Sequence, residues 1–302
     1  FVREIYELAG KRDISRFLAT GDDDFSFAVQ GLSRYRVSTY RQRGSLSAVI
    51  RVITFELPDP SALGIPDPII RLADQKKGLI LVTGPARSGK STTLACIIDE
   101  INRTQEKHII TLEDPLEFLH RHKKSIISQR EISSDTESYL TALRASLRQS
   151  PDVILLGEMR DFETISVAMT AAETGHLVLS TLHTLGAANT IDRIIDVFPP
   201  NQQRQISVQL SSVLHAVVSQ QLVPSKDGKL VPAFELMTTT SAIRNMIREN
   251  KIHQIEGLIY SSSGKDMMSM DNSLLALYKA GTISDTEALA HASNPDMLKR
   301  KL

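Results

Sequence analysis

From about residue 69 onward the chain alternates short apolar runs with stretches of helical periodicity. The runs occupy residues 78–83, 108–112, 153–157 and 176–181, and residues 93–98 after the first read as an amphipathic helix. This alternation predicts an α/β fold built on an open sheet. The start of the chain follows another rhythm. Residues 1–20 carry a helical pattern through Ile5, Leu8, Ile14, Phe17 and Leu18. Alternating segments at 25–29, 35–40 and 48–53, punctuated by Gly31 and Gly44, then predict a small antiparallel sheet. Pro58, Pro60, Pro66 and Pro68 follow within eleven residues, a spacing that defeats regular structure and marks a semi-rigid linker. The expected organisation is an N-terminal domain over 1–56, a linker over 57–68 and a larger domain over 69–302. A helical subdomain is expected from about residue 238, broken by a mobile loop at 261–264.

Composition limits what such a chain can do. Its 302 residues suffice for about two domains, and 35 basic residues balance 35 acidic ones. No global field points to nucleic acid or to an acidic membrane as a partner. A single cysteine, Cys96, excludes an intrachain disulfide and any Cys-x-x-Cys zinc site. No apolar stretch approaches the ~18 residues of a membrane span, and the first residues read as neither signal nor transit peptide. The expectation is a soluble intracellular protein that meets a membrane only through partners.

The first apolar run leads directly into Gly84-Pro85-Ala86-Arg87-Ser88-Gly89-Lys90-Ser91-Thr92, which fits the phosphate-binding pattern G-x-x-x-x-G-K-[ST]. Glycines permit a tight turn whose N–H groups face a phosphate, and the helix that follows adds a favourable dipole. Lys90 can reach the β- and γ-phosphates, and the Ser91 hydroxyl can join a Mg²⁺ shell. Parallel α/β sheets gather their chemistry at the carboxyl ends of strands. The other three runs end in groups suited to the same reaction. Glu113, Asp114 and Glu117 follow the second and can orient water. Glu158 follows the third and suits a Mg²⁺ role, and His183 follows the fourth and can sense a γ-phosphate. Acids just past a strand also serve as helix caps or solvated turns, and Asp114 before Pro115 suits either role. Together the four ends describe a nucleotide hydrolase.

Between Arg34 and Arg51 every cation is an arginine, namely Arg34, Arg36, Arg41, Arg43 and Arg51, with no acidic residue among them. Arginine offers a planar fork matched to phosphate and supplies transition-state fingers across domain or subunit boundaries. An Arg-rich exposed sheet edge is the plainer reading of the same residues. The finger reading requires another domain or subunit to meet them, and so predicts a ring.

With these residues in view, the chain resembles the type IV pilus retraction ATPases (the twitching-motility PilT group) of the secretion ATPase superfamily. The resemblance rests on the loop at 84–92, an "Asp box" at 110–118, the stretch 157–161, a "His box" at 170–176 and 181–184, and Ala242-Ile243-Arg244-Asn245-Met246-Ile247-Arg248-Glu249. It implies a RecA-like P-loop ATPase domain preceded by a PAS-like α+β domain, the latter apparently truncated. It also implies a homohexameric ring with ATP and Mg²⁺ between the domains, acting on an inner-membrane platform protein at the cytoplasmic base of the pilus. By motif position Glu117 is the catalytic glutamate and Glu158 lies near magnesium. His176 and His183 belong to the histidine box. Arg36 and Arg51 align with the phosphate-contacting arginines, with Arg43 a further candidate. Ala86-Arg87 departs from the Thr-Gly usual in this loop, restricting φ/ψ and adding a cation beside the phosphates. An assembly or type II secretion ATPase, and a nucleotide-gated accessory subunit with little hydrolysis, stay open as alternatives.

Overall fold

The computed structural model describes residues 1–53, 56–262 and 266–302. The single helical pattern at the start is two helices, α1 (Val2–Leu8) and α2 (Ser15–Thr20). Gly10 (φ 74°) and Lys11 (φ 59°) turn the chain between them, so continuous periodicity misstates one element. The helices cover one face of an antiparallel sheet of β1 (Asp22–Val29), β2 (Ser33–Gln42) and β3 (Ser45–Ile53), in that order. Tyr6, Phe17, Phe25 and Val37 form its core. Buried Asp23 is matched there by the Tyr6 hydroxyl at 3.1 Å and by Arg12 Nε at 3.1 Å.

The proline-rich segment is less of a spacer than its composition suggests. Ile65 and Ile69 are buried in the same cluster as the large sheet's core, and Asp67–Ile70 forms the short helix α3. Pro66 caps it and Pro68 sits in its first turn, where a missing N–H costs nothing.

The large sheet has seven strands in the order β10-β9-β4-β8-β7-β5-β6. Its strands are β4 (Gly78–Thr83), β5 (His108–Glu113), β6 (Ile126–Glu131), β7 (Val153–Leu156), β8 (Leu177–Leu182), β9 (Leu214–Pro224) and β10 (Leu230–Thr238). Neighbouring pairs run parallel except β9–β10, which makes the sheet mixed. One face is covered by α4 (Lys90–Thr104) and α3. The other is covered by α5 (Tyr139–Ser146), α6 (Phe162–Glu173), α7 (Ala187–Asp196), α8 (Pro200–Val213) and α9 (Ser241–Arg248). The strands β4, β7 and β8 are buried throughout, which is why they read as unbroken apolar runs.

The C-terminal part is helical, as its periodicity predicts: α10 (Ile255–Ser261), α11 (Met270–Lys279), α12 (Asp285–His291) and α13 (Pro295–Lys299). Met270, Leu274, Ile283, Ala288 and Leu298 pack there against Val223 and Ala233 of the β9–β10 hairpin. Of the loop expected at 261–264, Ser263 and Gly264 lie outside the described residues. Among the described residues no helix is long and apolar enough to cross a membrane.

Candidate active site

The carboxyl end of β4 turns through residues 84–89 into α4. Gly84 (φ 140°), Arg87 (φ 64°) and Gly89 (φ 89°) all occupy positive φ. The arginine that replaces a glycine therefore adopts the conformation glycine prefers, at a cost of about 1–2 kcal/mol. Lys90 Nζ donates to Gly84 O at 2.9 Å and Pro85 O at 2.8 Å, folding its ammonium back over the loop. Burial pulls its pKa below the ordinary lysine value, while Glu117 and Glu158 pull it back up. The Ser88 hydroxyl is buried inside the loop and has no hydrogen-bond partner. Gln220 of β9 forms the floor. Its side chain accepts from Thr93 Oγ1 at 2.7 Å, and its backbone presses against Gly84.

The strand ends meet this loop as the sequence predicts. A cleft of about 420 Å³ is lined by residues 86–92, Glu113, Asp114, Glu117, Glu158, His183 and Arg51. Because β8 lies between β4 and β7, His183 enters the cleft between the phosphate loop and Glu158. Glu158 pairs with Arg160 at 2.5 Å and lies 3.6 Å from His183 Nε2. Asp161 has another task, capping α6 by accepting from Thr164 N at 2.8 Å. One cleft residue was not foreseen. Tyr139, in the first turn of α5, reaches so close to Gly157 that a Cβ there would lie 2.7 Å from its hydroxyl. No local motif marks it, because its place depends on how α5 docks against β7.

The arginines divide. Arg51 lines the cleft, and Arg36 stands opposite it in the β2–β3 register. Arg34, on the same face of β2 as Arg36, pairs with Glu131 of β6 instead. Two expected nucleotide-binding residues are not brought to this cleft by their own chain. Arg43 sits at the exposed tip of the β2–β3 hairpin, about 23 Å along an extended strand from Arg36. His176 precedes β8 whereas His183 follows it, so the strand's length, also about 23 Å, separates them. The His176 ring instead bonds Ala171 O at 2.9 Å and fixes the turn after α6.

The family of type II/IV secretion system proteins matches residues 21–280. The chain belongs to that family. It is 46% identical over 286 residues to the type IV pilus retractation ATPase PilT of Pseudomonas aeruginosa, covering 95% of this chain and 82% of that protein. It is 46% identical over 276 residues to a twitching motility protein of Neisseria gonorrhoeae, covering 91% of this chain and 74% of the other. Among solved structures it is similar to the pilus retraction motor PilT with bound ADP, with a TM-score of 0.91 and 47% identity. That likeness covers 98% of this chain and 84% of the other.

In this type II/IV secretion system protein the donor set of the cleft suits a small hard cation. Among the described residues no group of three or more His, Cys, Asp or Glu side chains could hold a metal ion alone. Mg²⁺ asks for less, commonly one or two protein oxygens completed by phosphates and water. The Ser91 hydroxyl and the Glu158 carboxylate line one cleft and fit that requirement.

Glu113 titrates abnormally. Burial pushes its carboxyl up to about 7, against opposing hydrogen bonds from Thr111, Gln129 and the Glu117 backbone. The native state then holds a proton that the unfolded chain releases between pH 4.5 and 7. Stability therefore falls as pH rises through that window, and the full cost stands above pH 7. Glu113→Gln removes this cost, so the variant gains on the order of 3 kcal/mol over the parent at pH 8 and almost nothing at pH 4. Urea unfolding of both proteins at the two pH values measures the difference, and an equal effect at both would refute the assignment.

Proposed function

We infer that this chain is an ATP-hydrolysing motor of type IV pilus retraction. The observation that carries this reading is the convergence of the phosphate loop, Glu117, Glu158 and His183 on one cleft, in a chain 46% identical to a pilus retraction ATPase over 95% of its length. Phosphoryl transfer depends mainly on positioning and on stabilising charge. The loop N–H groups and Lys90 hold the phosphates, and Glu117 takes the proton of the attacking water. His183, beside Glu158, responds to the γ-phosphate. Ser91 and Glu158 would hold Mg²⁺ beside the phosphates, where the ion would supply neutralising positive charge. Arg51, with Arg36 beside it, approaches from the N-terminal sheet, so nucleotide draws two sheets together and hydrolysis lets them part.

The small sheet is read as a PAS-like domain and the large one as a RecA-like core, assembled as a homohexameric ring. In such a ring Arg43 and the helix at 242–249 face neighbours or an inner-membrane platform protein at the cytoplasmic base of the pilus. Arg244 on α9 and Glu249 at its C-cap are exposed, while Ile243 and Ile247 are buried. Assembly and secretion ATPases of the superfamily usually carry a tetracysteine zinc module, which one cysteine cannot build.

The test pairs biochemistry with complementation. Purified protein is expected to hydrolyse ATP, and its gene to restore twitching to a retraction-deficient strain. Arg244→Ala with Arg248→Ala is expected to abolish twitching while leaving hydrolysis largely intact. Rescue of an assembly-deficient strain instead would reassign the motor, and tight ATP binding without turnover would make it an accessory subunit.

A further inference from the structure

The loop that brings Glu117 to the cleft is held at several points along its backbone. Gln129 Nε2 donates to Phe118 O at 3.0 Å, and Gln129 Oε1 accepts from His120 N at 2.8 Å. Glu131 Oε2 accepts from Leu116 N at 3.4 Å. Gln129 and Glu131 both stand on β6, two residues apart and therefore on one face of the strand. This edge strand thus supports the backbone on either side of the proposed general base.

Glu131 also reaches beyond its own sheet. Its side chain is only 4% exposed, and the guanidinium that faces it belongs to Arg34 of β2, with Nη2 3.3 Å from the same Oε2. One carboxylate oxygen therefore takes an N–H from the Glu117 loop and another from the N-terminal sheet. Two residues further along β2, Arg36 stands opposite Arg51, which lines the cleft. Both contacts to Oε2 lie at the long end of hydrogen-bond range, so a small displacement of one sheet tightens or breaks them. Leaving a buried carboxylate unpaired is strongly unfavourable, so Glu131 follows its cation rather than ignoring it.

We propose that Glu131 is a positioning residue that passes movement of the N-terminal sheet, through Arg34, to the loop carrying Glu117. The inference rests on the hydrolase reading above and names how that site is regulated. Closure that seats Arg51 at the phosphates also sets the Arg34–Glu131 contact and thereby the backbone beside the base. Hydrolysis is then fast only when the two sheets are docked.

The test is a double-mutant cycle in the full chain with Arg34→Gln, Glu131→Gln and both together. Steady-state ATP turnover, affinity for a fluorescent ATP analogue and thermal melting are read for each. Each single variant is expected to lower kcat about tenfold, and the double variant no further than the worse single, because both remove one contact. Nucleotide affinity stays within about twofold, since neither residue touches the phosphate loop. Arg34→Lys, which keeps the charge, recovers part of the rate. If Arg34→Gln melts early, Glu131→Gln still decides the matter, because it buries no charge and keeps an acceptor for Leu116 N–H. Multiplying losses, unchanged kcat, or affinity lost in step with kcat overturns the proposal. A parent protein that turns over ATP normally beside unaffected variants overturns this inference alone. A parent that hydrolyses no ATP overturns the hydrolase reading and this inference with it.

Discussion

Glu117→Gln is expected to lower ATP turnover by about two to four orders of magnitude while leaving ATP binding intact. Two acids, Glu113 at the end of β5 and Glu117 in the loop that follows, compete for the role of base. Glu113 has a pKa pushed up to about 7, the value often tuned for proton transfer. Its carboxylate oxygen Oε1, however, accepts from Thr111 Oγ1 at 2.6 Å and from Gln129 Nε2 at 3.4 Å. Those bonds tie Glu113 to the β5 and β6 side of the cleft and give it the task of shaping the loop. Glu117 is exposed on the cleft wall opposite the phosphate loop, where its oxygens can meet water. Gln preserves size and hydrogen bonding but cannot take a proton, so binding and chemistry separate. Single-turnover hydrolysis beside equilibrium ATP binding checks this. If turnover persists in Glu117→Gln and disappears in Glu113→Gln, the two roles are exchanged.

The site was legible because its chemistry sits at the ends of fully buried strands. β4, β7 and β8 have no exposed face, so each appears in the sequence as a largely apolar run, and the residues just past its end line the cleft. The rest of the large sheet was hidden for physical reasons. Four of the six residues of β6 are polar, as suits a strand at the edge of the sheet, and its Gln129 and Glu131 serve the neighbouring loop. β9 follows α8 with no turn residue between Val213 and Leu214, and its buried Ser219, Gln220 and Gln221 interrupt any apolar pattern. His176 and His183 illustrate a second limit. They belong to one sequence box, yet a strand separates them, and only one can reach a nucleotide held by its own chain. Tyr139 and the Arg34–Glu131 pair arise from contacts between distant elements and leave no local signature. The Arg-only stretch was legible, but which arginine goes where depends on register, with Arg51 at the cleft and Arg34 on Glu131.

Gln220 makes the second large prediction. Gly84→Ala is expected to destabilise the fold by on the order of 4 kcal/mol and to abolish nucleotide binding. A Cβ at residue 84 would lie 2.1 Å from Gln220 O and 2.9 Å from Ser88 Oγ, with a φ of +140°. The obstacle at 2.1 Å is backbone in the middle of β9, held by β4 on one side and β10 on the other. It cannot retreat without parting the sheet beneath the phosphate loop. Position 89 differs, because a Cβ there meets the Gln220 side chain, with Nε2 at 2.8 Å. Gln220→Ala should therefore relieve part of the damage in Gly89→Ala and none in Gly84→Ala. Gly175→Ala serves as the control for backbone strain alone, since its φ is +109° and nothing lies within 4 Å of the added atom. Thermal melts and ATP titrations of these variants test the argument. If Gly84→Ala proves no worse than Gly175→Ala, β9 does not constrain the phosphate loop, and the loop's shape has to come from its own residues.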